Sequence, residues 1–152
     1  MSIKRITNPE EFNQLIDDLD GLFTSENLHH GHKFLVHDAD CIKRSFSHTS
    51  ILAWDLFVWA NKENGKFDSS IMFFNEKSAK FGKKIFAEFL WLSKNPKMGF
   101  SLFSKAVKFA KENNFELICM STVTAHPKHE KIKSFYEKIG LVQDSITYIG
   151  KL

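Results

Sequence analysis

The feature that most limits the fold of this chain is an apolar run at residues 84–92 that ends at a helix start. The run is rich in aliphatic and aromatic side chains, and Glu88 is its only acid. Its length predicts a central strand that is buried on both faces. Asn95 and Pro96 come shortly afterwards and are typical of an N-cap and a first helical residue. We therefore predict a strand that leads, through residues 93–99, into a helix that extends to about Asn114.

Two further strands are predicted immediately before this run. Residues 51–59 are β-branched and aromatic, and residues 67–74 have a similar composition. Asn64 and Gly65 lie between them, and an Asn-Gly pair is the strongest short signal for a tight hairpin turn. The two strands are therefore predicted to pair in an antiparallel hairpin.

The remaining patterns surround these strands with helices. Asn8 and Pro9 start an amphipathic helix that is predicted to run to about Phe23. Residues 24–47 are compatible with a second helix or with irregular structure. The other predicted elements are a short strand within 1–7, a strand at 115–123, a helix opened by His126-Pro127 and ended by Gly140, and a final strand at 141–152.

Length and composition exclude several classes of protein. The chain has 152 residues, of which 43% are hydrophobic and 26% are charged, so it can bury a core and is not intrinsically disordered. Its two cysteines, Cys41 and Cys119, have no CxxC or metal-ligand spacing. This usage excludes a disulfide scaffold, and it predicts two small buried thiols in a reducing compartment.

The charge pattern argues against a nucleic-acid or membrane partner. The formal net charge is only +3, and lysines alternate with acids along most of the chain. Nucleic-acid-binding domains instead gather basic residues on one face. No apolar run reaches the ~18 residues of a membrane span, and the first ten residues lack the apolar core of a signal peptide. We expect a cytoplasmic protein without specific nucleic-acid or membrane binding.

Two segments carry a resemblance to a known superfamily. Residues 86–114 resemble the strand, loop and helix that hold the CoA pyrophosphate in GNAT acyl-CoA-dependent N-acetyltransferases. Residues 134–141, Ser-Phe-Tyr-Glu-Lys-Ile-Gly-Leu, are similar to the Tyr-Glu-Lys-x-Gly-Phe segment of that superfamily. The resemblance implies one domain over residues 1–152 of the α/β (α+β) class, with a mixed, mostly antiparallel sheet flanked by helices. It also implies N-acetyltransferase activity with acetyl-CoA as cosubstrate and without a metal.

The same resemblance implies which residues bind acetyl-CoA. With Gly99 as the last glycine of the phosphate loop, Lys94 stands where the superfamily has Arg or Gln, and Lys97 stands where it has its first glycine. Strand residues would offer backbone groups to pantetheine, and His129 stands where the superfamily often has Asn. The implied binding residues are Leu90, Trp91, Leu92, Lys94, Lys97, Met98, Gly99, Phe100, Ser101, Leu102 and His129.

Two residues are implied to be catalytic, and each has a plainer alternative. Tyr136 resembles the tyrosine that protonates the departing CoA thiolate, but its helical spacing also suits a core tyrosine with its hydroxyl at the rim. Glu88, after Ala87, resembles the glutamate that acts as general base on the acceptor amine. A carboxylate in an apolar strand should have a raised pKa. Alternatively, Glu88 points outward or pairs with a lysine.

The acceptor and the surroundings of the site are less defined. The densest set of metal-ligand residue types is His29, His30, His32, His37, Asp38, Asp40 and Cys41. This set has no zinc spacing and is interpreted as part of the mouth of the acceptor pocket. A small-molecule or peptide amine is the expected acceptor. The sequence leaves open whether the protein forms a homodimer. Lys97 and His129 also leave open a GNAT-fold binding or structural module without catalysis.

Overall fold

A computed structural model of the protein describes residues 2–27, 38–47, 55–78, 82–122 and 126–144. These residues contain helices and strands in the order β1 (Ser2–Ile6), α1 (Pro9–Asp18), α2 (Asp20–Asn27), α3 (Ala39–Ser47), β2 (Leu56–Glu63), β3 (Lys66–Ser78), β4 (Lys83–Ser93), α4 (Pro96–Glu112), β5 (Leu117–Cys119) and α5 (His129–Lys138). The predicted order of elements is found from β1 to α5, except that one or two helices were predicted between β1 and β2 and the structure has three. Among these helices, none is long and apolar enough to cross a membrane.

The strands form one mixed sheet in the order β1-β2-β3-β4-β5. The pairings from β1 to β4 are antiparallel, and β5 pairs with β4 in parallel. Asn64 and Gly65 make the predicted turn between β2 and β3, with φ of 50° and 80°. Positive φ at both turn residues is the geometry that matches the twist of a two-residue hairpin, and asparagine and glycine tolerate it best.

Helices cover both faces of this sheet because its strands alternate their buried side chains between two cores. On one face, α1, α2 and α3 pack on β2, β3 and β4, and the rings of Phe12 and Phe46 stack at 4.2 Å. On the other face, α4 packs on a cluster in which the rings of Phe73 and Phe86 stack at 4.1 Å. The central strands are thus buried on both sides, as the apolar run at 84–92 predicts.

Both asparagine caps are present. The Oδ1 of Asn8 accepts the Glu11 N–H at 2.8 Å at the start of α1. The Oδ1 of Asn95 accepts the Lys97 N–H at 2.9 Å at the start of α4. A proline follows each cap at the first helical position, where its missing N–H would have no helical partner. The position of the α4 N-terminus is therefore determined by a local sequence signal.

We expect Asn95→Ala to lower the free energy of unfolding by about 1 kcal/mol, because the Lys97 N–H would lose its acceptor. Asn8→Ala is the matched control, since it removes the same kind of cap before the same residue type at the other side of the sheet. Urea unfolding of the wild type and both variants measures the effect. Full stability of Asn95→Ala beside a destabilised Asn8→Ala would contradict the capping role of Asn95.

Several boundaries differ from the sequence predictions. The first helix is interrupted at Leu19, although the Phe23 N–H still donates to the Leu19 carbonyl at 3.1 Å. β3 runs on to Ser78 because its pairing with β4 continues to that residue. β5 covers only three residues, since β4 and β5 diverge after them. Most of the predicted final strand lies outside the described residues, and so does most of the predicted strand segment before Leu56.

The prediction of two buried thiols is wrong. Cys41 and Cys119 are both exposed. Cys41 lies on the solvent side of α3, next to the buried Ile42, and Cys119 is the last residue of β5, where the pairing with β4 ends. The exposure of Cys41 depends on which face of α3 is turned to solvent, and that of Cys119 depends on where β5 ends. The residue type alone specifies neither.

Candidate active site

β4 and β5 form the last strand pair at one edge of the described sheet, and they pair over only three residues; the place where this pairing ends is called the opening here. The paired residues of these parallel strands are Ile85 with Leu117, Phe86 with Ile118, and Ala87 with Cys119. β5 ends there, whereas β4 continues to Ser93. The pairing of β4 with β3 also shifts at this point, because Phe73 pairs with Glu88 and Met72 pairs with Leu90. Such a bulge bends a strand, and this one lies next to Glu88, just beyond the last residue of β4 that pairs with β5.

The Glu88 carboxylate reaches across this opening to the chain that follows β5. Its Oε2 accepts the Ser121 N–H at 2.8 Å and the Ser121 hydroxyl at 3.3 Å. Burial raises the pKa of Glu88 to about 7, and the two bonds from Ser121 act in the opposite direction. A carboxyl with this pKa exists in both protonation states near neutral pH, as a general base requires. The sequence analysis gave two alternatives for Glu88, an outward orientation or a pair with a lysine, and the contact with Ser121 differs from both.

Tyr136 reaches the same residue from α5. Its ring is buried, with 9% of its surface exposed, and its hydroxyl donates to the Ser121 carbonyl at 2.9 Å. Burial raises the pKa of the Tyr136 phenol above its ordinary value, and the charge of Glu88 adds to this effect. The phenol therefore keeps its proton at neutral pH. Tyr136 is therefore a buried tyrosine whose hydroxyl lies just beyond β5. This position is compatible with a core tyrosine and also with a general acid.

His129 begins α5 and contacts the residue that follows Ser121. Its Nδ1 lies 3.4 Å from the hydroxyl of Thr122, which follows Ser121 directly. Its Nε2 lies 3.8 Å from a carboxylate oxygen of the exposed Glu130. Residues 121–122, just after β5, thus contact the predicted base Glu88, the predicted acid Tyr136 and His129.

The N-terminus of α4 lies at the far end of β4. Only Lys94 and Asn95 connect the two elements. Lys94 and Lys97 are exposed here, at the positive end of the helix dipole. A Cβ on Gly99 would lie 3.3 Å from both the Ser93 Cβ and the Trp91 Nε1, so a larger residue would require these neighbours to move by a few tenths of an ångström, whereas glycine fits without such a shift. The predicted phosphate loop is thus a short connection followed by a capped first turn.

The other residues predicted to bind acetyl-CoA lie on both sides of β4. Leu90 and Leu92 are buried in the core beneath α1, while Trp91 faces α4. The side chains of Met98 and Leu102 are buried in the α4 core, so these two residues can offer a ligand only backbone groups. Phe100 and Ser101 are exposed.

An aromatic cluster links α4 and α5 above β4. Trp91 stacks on Phe103 with ring centroids 5.6 Å apart and also contacts Phe100 and Phe135. Phe100 and Phe135 lie 4.8 Å apart across the two helices, and Phe100 is 45% exposed. The cluster holds the two helices together beside the opening and presents one phenyl ring to solvent.

Ser121 is the site residue that the sequence analysis missed. Serine is common on protein surfaces, and nothing in its neighbours along the chain distinguishes it. A signal was present in part, since Ser121 falls at the end of the predicted strand 115–123. Its importance becomes visible only when the lengths of β4 and β5 are known, because the early end of β5 leaves its backbone to side-chain partners.

The possible metal ligands give no site among the residues that the structure covers. In those ranges, no group of three or more His, Cys, Asp or Glu side chains is arranged to hold a metal ion. His29, His30, His32 and His37 lie outside the described residues. Asp38 lies before α3, and its carboxylate accepts the Cys41 N–H at 2.8 Å, which is the geometry of a helix N-cap.

Comparison with known proteins supports a fold assignment. No protein-family model matches the chain, and no curated protein matches it either. Solved structures do match over nearly the whole length. A predicted acetyltransferase from Clostridium acetobutylicum, solved with acetyl-CoA, has a TM-score of 0.69 at 14% identity, covering 99% of this chain and 95% of that chain. This chain has a GNAT-like acetyltransferase fold.

Two further structures with this GNAT-like fold are similar to the chain. An aminoglycoside acetyltransferase from an uncultured soil metagenomic sample, solved in complex with sisomicin, has a TM-score of 0.67 at 13% identity, covering 99% of this chain and 95% of that chain. The ribosomal-protein-alanine N-acetyltransferase from Brucella melitensis biovar Abortus 2308 has a TM-score of 0.67 at 10% identity, with both chains fully covered. The predicted fold class, a mixed and mostly antiparallel sheet flanked by helices, is confirmed.

Proposed function

We propose that this protein is an N-acetyltransferase that transfers the acetyl group of acetyl-CoA to an amine by direct attack. One observation carries the proposal: Glu88 and Tyr136 meet at Ser121, at the point where β4 and β5 separate. A group that can accept a proton and a group that can donate one therefore face one opening in a GNAT-like fold. Bound acetyl-CoA supplies the activated acetyl group as a thioester.

Glu88 serves as the base in this reaction. An alkyl amine is protonated at neutral pH and must lose a proton before or during its attack. Glu88 Oε2 is held by Ser121, so Oε1 is the oxygen that accepts the amine proton, directly or through a water molecule. With a pKa of about 7, the carboxylate is ionised often enough at neutral pH to do so.

Tyr136 serves as the acid. The carbon–nitrogen bond of the product forms as the carbon–sulfur bond of the thioester breaks, and the departing sulfur needs a proton. The raised pKa of Tyr136 keeps its hydroxyl protonated until that moment. The hydroxyl turns from the Ser121 carbonyl to the sulfur. The protonated amine loses two protons in all, one to Glu88 before attack and one as the carbon–nitrogen bond forms. One of them returns to the phenolate through solvent, and the other is released to solvent.

The residues at the start of α4 are suited to the CoA pyrophosphate. Lys94 and Lys97 are exposed at a helix N-terminus, where anions are stabilised. The Lys97 N–H already donates to Asn95, so the lysine side chains take over part of the role that loop amides have in glycine-rich phosphate sites. The close approach at Gly99 keeps this end of α4 against Ser93, the last residue of β4.

Acetyl-CoA binding is the first test. Calorimetric titration of the wild type should give a dissociation constant in the micromolar range, and Lys97→Gln should weaken binding about fivefold, or about 1 kcal/mol, through the loss of one lysine–phosphate contact. Lys111→Gln in the last turn of α4 is the matched control and should bind like the wild type. The absence of binding by the wild type would overturn the proposal.

Turnover is the second test. The acceptor class is a small-molecule or peptide amine, and the structural neighbours suggest which acceptors to try. One neighbour is an aminoglycoside acetyltransferase and another is a ribosomal-protein-alanine N-acetyltransferase. A panel of aminoglycosides, polyamines and peptides with N-terminal alanine, assayed by release of free CoA thiol, should show acetyl transfer that depends on the acceptor.

A further inference from the structure

We propose that Ser121 is a positioning residue, which holds the Glu88 carboxylate through its amide and hydroxyl and holds the Tyr136 hydroxyl through its carbonyl. The inference rests on the proposed function, because it gives these contacts a role in acetyl transfer. It adds a residue between the base and the acid, and it makes the orientation of one dependent on the other.

The position of Ser121 follows from the early end of β5. β4 continues past Ala87, while the last residue of β5 that pairs with it is Cys119. Ser121 lies two residues further on, where the diverging strands no longer exchange backbone hydrogen bonds. The Glu88 carboxylate takes the place of a strand partner and accepts the Ser121 N–H at 2.8 Å. A charge-assisted bond of this length is stronger than a bond between neutral groups.

Both bonds from Ser121 go to the same carboxylate oxygen. The hydroxyl adds a bond at 3.3 Å to the Oε2 that the amide already holds. This arrangement fixes the side-chain torsions of Glu88 and leaves the direction of Oε1 defined. Ser121 therefore acts on the chemistry through Glu88, without a contact of its own to the reacting atoms.

The carbonyl of Ser121 anchors it to α5. Tyr136 donates to this carbonyl at 2.9 Å, and the Tyr136 ring is buried. The segment after β5 is thereby held between β4 on one side and α5 on the other. A change at Tyr136 should consequently reach Glu88 through the backbone of Ser121, although no hydrogen bond joins the two side chains.

Other groups near Glu88 act in a different way. Tyr136 faces it from α5, and the Cys119 thiol faces it from β5. Glu76 on β3 and Asp144 after α5 act on the same thiol. Although Cys119 is exposed to solvent as a residue, partial desolvation of its thiol raises the pKa, and these acidic neighbours raise it further. The hydrogen bonds that hold the Glu88 carboxylate come from Ser121, and none of them comes from these other groups.

The first experiment measures the pKa of Glu88 in the full chain by carboxyl ¹³C NMR, with Glu88→Gln used to assign the signal. Ser121→Ala removes a bond that favours the charged carboxylate, so the pKa should rise by about 0.5 pH unit. Ser104→Ala is the matched control, because its hydroxyl donates only to the Phe100 carbonyl of its own helix, and it should cause no change. A shift of less than about 0.1 pH unit in Ser121→Ala would overturn the proposal.

The second experiment tests the link to Tyr136 with the same signal. Tyr136→Phe should raise the pKa of Glu88, because Ser121 loses its anchor on α5. The effect should be smaller in a Ser121→Ala background, where one of the two bonds to Glu88 is already gone, so the two shifts should not add. Additive shifts, or no shift with Tyr136→Phe, would overturn the link between the base and the acid.

Kinetics separate this proposal from the proposed function. Ser121→Ala should lower kcat about threefold to tenfold, leave KM for acetyl-CoA unchanged, and move the acid limb of the pH profile upward with the pKa of Glu88. A shifted pKa with an unshifted pH profile would overturn the positioning role. If the wild type has no turnover, the acetyltransferase proposal fails, and the NMR titration still decides whether Ser121 holds Glu88.

Discussion

Tyr136→Phe is expected to lower kcat by roughly 10²-fold while KM for acetyl-CoA stays within about twofold. The variant keeps the buried ring and removes only the hydroxyl, which donates to the Ser121 carbonyl at 2.9 Å. Without it, CoA must leave as a thiolate, and the transition state loses its proton donor. Steady-state kinetics with a saturating acceptor amine measure the effect.

A stability measurement tests whether the loss of kcat in Tyr136→Phe results from unfolding. The variant gives up one partly buried hydrogen bond, which is worth about 1 kcal/mol, so it should stay folded. Urea unfolding of Tyr136→Phe and the wild type checks this. A folded Tyr136→Phe enzyme with full kcat would show that Tyr136 is a core tyrosine and that the sulfur receives its proton from elsewhere.

Glu88→Gln is expected to lower kcat/KM by roughly 10- to 10²-fold and to remove the acid limb of the pH profile. In the wild type, kcat/KM should rise with pH up to about 7, where Glu88 becomes ionised, and should then level off. Glutamine keeps the size of the side chain but cannot accept the amine proton. Glu10→Gln in the first turn of α1, on the opposite face of the sheet, is the matched control and should keep the limb.

The same variant should change how stability depends on pH. The carboxyl of Glu88 titrates near 4.5 in its ordinary environment and near about 7 in the folded protein. Between these values the folded state binds more protons than the unfolded state, so Glu88 makes the free energy of unfolding fall as pH rises. Glu88→Gln lacks this contribution and should gain stability relative to the wild type from about pH 5 to about pH 8. A constant difference over that range would contradict the raised pKa.

Local signals account for the part of the fold that could be predicted from the sequence. The Asn-Pro pairs place the starts of α1 and α4, because a side-chain acceptor and a proline suit a helix N-terminus whatever lies around it. Asn64 and Gly65 place the hairpin turn for a similar reason. The resemblance of two segments to GNAT proteins then predicted the arrangement of these elements, and the solved structures confirm that fold.

The site was predicted only in part. Glu88 and Tyr136 were identified through the resemblance, and the raised pKa of Glu88 followed from its place in an apolar strand. The partner of Glu88 was not identified. A carboxylate in a strand has neighbours on other strands, and which of them meets it depends on register and strand length, which were not predictable to within one residue.

Sequence by itself determined the order of the strands, the starts of α1 and α4, the tight turn and the burial of β4, since each depends on residues close together in the chain. The tertiary structure alone decided that β5 ends at Cys119, that both cysteines are exposed and that Ser121 lies between Glu88 and Tyr136. Glu88 and Ser121 are 33 residues apart, and Ser121 and Tyr136 are 15 apart. Contacts over such separations depend on how whole strands and helices pack, because the same short segments can be paired in several registers with nearly equal local energy.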